Sequence, residues 1–120
     1  MDFRRLRNTL TPSGDKLAVV PLEGRFSAQS ASETRQMLKQ VIDFGYPNLL
    51  IDMTQVTFID SVGLGVLVST LHKCRAAGGQ LCLCNVPEAV AMVLQISAME
   101  KVLISFPSLR DGVTKFPSAV

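Results

Sequence analysis

Only one histidine, His72, occurs in the 120 residues, and the three cysteines, Cys74, Cys82 and Cys84, are an odd number with no framework spacing. Nothing is arranged at a zinc-like spacing, so neither a metal site nor a cofactor is expected. Charge of one sign is equally scarce. Twelve basic and 10 acidic side chains leave a net charge of +2, a field too weak to attract nucleic acid or an anionic membrane by itself. Arg4, Arg5 and Arg7 form the densest basic cluster; without interleaved aromatics they read as a solvated edge strand. No apolar run approaches the ~20 residues that cross a bilayer, and the first residues lack the apolar stretch of a signal peptide. A cytoplasmic location is the expectation, with free, buried thiols. On one strand Cys82 and Cys84 would share a face about 6.5 Å apart, poorly oriented for a disulfide.

What is present is apolar material. With 48% hydrophobic and 18% charged residues, the chain reads as one compact domain, 1–120, with a single core. Arg4 to Thr11 and Leu17 to Leu22 flank the turn sequence Pro12-Ser13-Gly14-Asp15 and predict an antiparallel hairpin. Gly24-Arg25-Phe26-Ser27 then breaks the strand. Ser30-Ala31-Ser32-Glu33 has the form of a capping box, and Met37, Leu38, Val41 and Ile42 keep helical spacing until Gly45 and Pro47. Leu49-Leu50-Ile51 reads as a strand covered on both faces that ends at Asp52, with a second fragment over Val56 to Ile59. Leu64, Leu67, Val68 and Leu71 fall on one face of a helix running from Val62 to Ala77, stopped by Gly78-Gly79. A strand over Gln80 to Asn85, a helix from Pro87 to Ile96, a final strand over Val102 to Phe106 and a short helix capped at Ser108 complete the chain. The alternation predicts an α/β fold, a mixed sheet with helices packed on it.

The stretch Ile59-Asp60-Ser61-Val62-Gly63-Leu64-Gly65 carries the chemistry. Ser61 falls at the N-cap of the following helix, where its oxygen can accept a free first-turn amide. Asp60 can accept hydrogen bonds at the helix start or orient a metal brought by a kinase. Gly63 and Gly65 each cost about 1 kcal/mol of helix propensity relative to alanine. That loss implies a close backbone approach, by a neighbouring strand or by an external group. Helix N-termini tolerate anions, so a phosphate on Ser61 is compatible with folding. It would add about 1.5 to 2 negative charges beside an apolar rim of Val62 and Val66.

This stretch, continued from Leu49 to Val86 through the Gly-Gly before the next strand, resembles the STAS domain of anti-sigma factor antagonists, whose signature is an Asp-Ser-Ser/Thr-Gly-Leu-Gly loop entering a helix. The resemblance runs from about Lys16 to Val113. It implies a mostly parallel, mixed five-stranded sheet with helices packed on it and no catalytic centre. It further implies partner switching: the protein binds an anti-sigma factor that is also a serine kinase, a sigma factor is released, phosphorylation of Ser61 ends the interaction, and a serine phosphatase restores it. The implied partner surface is Asp60, Ser61, Val62, Gly63, Leu64 and Val66 together with the loop Gly24, Arg25, Phe26 and Ser27. Two positions depart from the family pattern. Val62 replaces a second hydroxyl, and Gly24-Arg25-Phe26-Ser27 replaces a loop that carries two carboxylates in many relatives.

Other readings compete. A Ser61–His72 hydrolase fails because eleven helical residues separate the two by about 16 Å, and the stretch is not a Gly-x-Ser-x-Gly elbow. Asp52 as a phosphoacceptor lacks the adjacent acidic pair that would hold magnesium. A STAS scaffold that is never phosphorylated, or a transporter-associated binding module, shares the same fold and remains the alternative. Met92, Leu94 and Met99 read as core, and Arg25 with Phe26 as an exposed pair.

Overall fold

The computed structural model describes residues 5–117; Arg4, where the first strand was expected to begin, lies outside them. Strands β1 (Arg7–Leu10), β2 (Lys16–Phe26), β3 (Asn48–Ile59), β4 (Leu81–Cys84) and β5 (Ser105–Phe106) form one sheet in the order β1-β2-β3-β4-β5. The β1–β2 hairpin is antiparallel and the other pairings are parallel. Helices α1 (Ala28–Asp43), α2 (Ser61–Ala76), α3 (Glu88–Ile96) and α4 (Leu109–Thr114) connect or follow the strands.

Strand alternation sorts the apolar residues onto two faces. Ala18, Val20, Leu49, Ile51, Met53, Leu81 and Leu83 meet Leu38, Leu67, Leu71, Val90 and Leu94 from α1, α2 and α3. On the reverse face Leu17, Val19, Leu50, Cys82 and Cys84 pack against Phe116 and, from α4, Leu109 and Val113. The core is therefore two unequal layers. The three cysteines are free and buried, and burial pushes each thiol up to about 12.

Several elements differ from the sequence reading. Gly24 to Ser27 does not break β2, which continues to Phe26 because Gly24 adopts φ +75° and keeps the strand against β3. β3 is one strand of 12 residues rather than two fragments. Asp52 is thus inside the strand, where its Oδ1 accepts the Thr54 amide at 3.1 Å. Partnering β2, β3 carries one extra residue between Asp52 and Gln55 and another, Thr57, between Val56 and Phe58. Such bulges re-aim the side chains beyond them. Helix α1 begins three residues before Ala31, since the Ser27 amide donates to the Ser30 Oγ at 3.1 Å and fixes the cap at Ser27. The last strand shrinks to Ser105–Phe106, because a 3₁₀ turn at Met99–Lys101 follows Ala98 in the left-handed region. Leu94 is core, whereas Met92 is 54% exposed, on the face of α3 turned away from Val90 and Leu94.

Candidate functional site

β3 ends at Ile59, and Asp60 takes an extended conformation, φ −116° and ψ −175°, before α2 starts at Ser61. Asp60, not Ser61, is the N-cap. Its Oδ1 accepts the Gly63 amide at 2.9 Å, and its Oδ2 accepts the Ala28 amide, the first residue of α1, at 3.2 Å. A serine has one side-chain oxygen; the carboxylate has two and can serve both helices. The Gly63 amide, joined by those of Ala28 and Val62, holds the Asp60 carboxyl below the usual range against the opposing effect of desolvation. Of the two roles open to Asp60, hydrogen bonding at the helix start is the one its oxygens fulfil.

Relieved of capping, Ser61 is exposed, and its hydroxyl has no hydrogen-bond partner among the described residues. Beside it Val62 is 40% exposed. The two glycines of the motif do different things. A Cβ on Gly63 would lie 2.4 Å from the Phe26 carbonyl oxygen and 3.0 Å from Ile59 Cγ1, so α2 rests directly on the end of β2. Gly65 faces open space.

The loop preceding α1 meets this turn from the other side. The Asp60 amide donates to the Phe26 carbonyl at 3.4 Å, and the Ser30 hydroxyl donates to the Arg25 carbonyl at 3.0 Å. Gly24, Arg25, Ser27, Asp60, Ser61, Val62 and Gly63 are thus brought into one region. Four expected surface residues are not at its surface: Phe26 is 3% exposed, and Gly63, Leu64 and Val66 are buried. Those on α2 belong to the face that the helix lays on the sheet, and Phe26 enters the same core from the end of β2; the apolar rim is Val62 alone on this helix, without Val66.

Sequence reasoning missed Phe58. The Arg25 guanidinium lies 4.2 Å over its ring centroid, in line with the pairing of Arg25 and Phe58 across β2 and β3. His72 is exposed, far along α2 from Ser61. Among the described residues no cluster of histidine, cysteine and carboxylate side chains could hold a metal ion.

Fold and site together define an α/β protein whose accessible chemistry is a serine hydroxyl at the mouth of a helix. Residues 8–112 match the STAS domain, and the chain belongs to that family. The anti-sigma-B factor antagonist of Bacillus subtilis (strain 168) is 30% identical over 94 residues, spanning 78% of this chain and 85% of its own. An anti-sigma factor antagonist from Mycobacterium paratuberculosis superposes with a TM-score of 0.71 at 24% identity, covering 92% of each chain. A sulfate transporter family protein from Wolinella succinogenes gives a TM-score of 0.71 at 20% identity, over 88% of this chain and 86% of that one. The two structural likenesses speak for the fold.

Proposed function

We propose that this protein is an anti-sigma factor antagonist that acts by binding rather than by catalysis. Its partner is an anti-sigma factor with serine kinase activity, which the association separates from a sigma factor in the cytoplasm. Ser61 is the residue the kinase phosphorylates, and a serine phosphatase reverses the modification. The observation that carries this reading is the exposed Ser61 hydroxyl beside Val62, without a partner among the described residues, at a helix start whose capping is done by Asp60. The 30% identity with the Bacillus antagonist supports it.

The switch is electrostatic. A phosphate brings about 1.5 to 2 negative charges to a rim that the partner would cover, and the cost combines desolvation with repulsion from acidic groups. An interface penalty of about 3 to 4 kcal/mol lowers affinity by about 140-fold to about 700-fold. Incubation with the kinase and ATP should add the mass of one phosphate, and Ser61→Ala should abolish that gain. A protein that binds the kinase yet never gains mass is instead an unphosphorylated scaffold or a transporter-type module, a reading that rests on the fold shared with transporter proteins such as that of Wolinella.

A further inference from the structure

We propose that the Arg25–Phe58 stack selects the binding partner by receiving a carboxylate side chain, Asp or Glu, from the partner's contact surface. The inference rests on the function proposed above and concerns the chemistry of that partner.

Arg25 is the penultimate residue of β2. It precedes Phe26, whose carbonyl lies under the first turn of α2. Phe58 stands two residues before Asp60, and at 38% it is almost as exposed as Val62. A partner that covers Ser61 and Val62 therefore borders the stack. With the guanidinium over the ring at 4.2 Å, the aromatic face attracts the cation without using its N–H groups, which leaves them as donors available to a second group.

Among the described residues those donors have no acid paired with them. Arg25 forms no ion pair with a described residue. Two carboxylates share with it a hollow of about 220 Å³: Glu23 is taken by Arg5 at 2.6 Å, and Glu33, engaged in an interaction of its own, forms no ion pair with Arg25. The Asp60 carboxylate is held by two amides. Among the described residues, therefore, no carboxylate is paired with the Arg25 guanidinium. Covering it with an apolar or basic surface strips its hydration without return. A carboxylate supplies a bidentate, charge-assisted contact and makes the same burial favourable.

The test uses the full chain and, as probe, the purified serine-kinase anti-sigma factor of the same cell. Affinities are measured for wild type, Arg25→Glu, Arg25→Lys and Phe58→Leu, at about 50 and about 300 mM salt, where screening differs strongly. Arg25→Glu should weaken binding about 100-fold, as expected for reversing a close interfacial charge. Arg25→Lys should cost about tenfold by losing the planar fork, and Phe58→Leu should shift affinity in the same direction. The salt dependence should flatten in Arg25→Glu, and replacing one acidic residue of the partner by Arg should restore its binding. Thermal midpoints check folding; should Arg25→Glu unfold, Arg25→Gln gives the readout. Wild-type binding with Arg25→Glu within twofold of it overturns this inference alone. Absence of wild-type binding to the kinase overturns the proposed function and this inference together.

Discussion

Replacing Gly63 and Gly65 by alanine, one at a time, should move stability in opposite directions. Both sit in the first turns of α2, and each substitution gains about 1 kcal/mol of helix propensity. At Gly65 the new methyl meets open space, so the gain stands. At Gly63 it meets the Phe26 carbonyl oxygen at 2.4 Å, about 1 Å closer than an ordinary carbon–oxygen contact. That oxygen is backbone, and it also accepts the Asp60 amide, so it cannot rotate aside as a side chain would. An overpacking cost near the upper end of about 1–3 kcal/mol applies. Set against the propensity gain, the net loss is about 2 kcal/mol. At about 4 °C per kcal/mol for a chain of this size, Gly65→Ala should melt about 4 °C higher and Gly63→Ala about 8 °C lower. Urea unfolding followed by far-UV circular dichroism, with unchanged m-values, gives the same comparison at one temperature. If the two variants shift together, in the same direction and by similar amounts, the assignment of one glycine to packing and the other to solvent is wrong.

The Asp60 carboxyl is held below its ordinary range, so its contribution is complete above the unfolded value of about 3.9 and is lost as pH falls through the lower folded value. The gap in urea midpoint between wild type and Asp60→Asn should therefore be constant from neutral pH down to about pH 5 and close only below about pH 4; a gap that closes near neutrality would refute the assignment. Ser61→Asp should fold with a melting midpoint near that of wild type, because Ser61 is exposed and caps nothing, while losing affinity for the kinase; calorimetry and titration measure the two separately, and unchanged affinity counts against the switch. Gly24→Ala should destabilise by about 1 kcal/mol, since φ +75° places a Cβ in a left-handed conformation; an unchanged midpoint would mean that the strand end relaxes freely.

Much of the architecture was legible because period and punctuation agreed. The apolar spacing of Leu64, Leu67 and Leu71 and the stop at Gly78-Gly79 located α2 closely, and the turn at Pro12 to Asp15 located the hairpin. Ser61 was found as an accessible hydroxyl, but its capping role went to Asp60. A single chain cannot show that α1 and α2 begin side by side, and only that proximity gives the second carboxylate oxygen an amide to accept. Val66 was placed on the rim because its helical position was judged relative to the stripe without knowing how deeply α2 settles on β2, which Gly63 determines. Phe58 was missed for a comparable reason. In a regular strand it would share the buried side of Val56, and the extra residue Thr57 cancels that parity.

The thiols are divided between the two sides of the sheet: Cys74 is on the buried face of α2 within the large helical layer, Cys82 and Cys84 lie under a helix of six residues. Detachment of so short a cover is a smaller event than opening the three-helix side. A thiol reagent applied to the native protein should accordingly record two clocks, with a pair of cysteines consumed early and the remaining one at the pace of global unfolding.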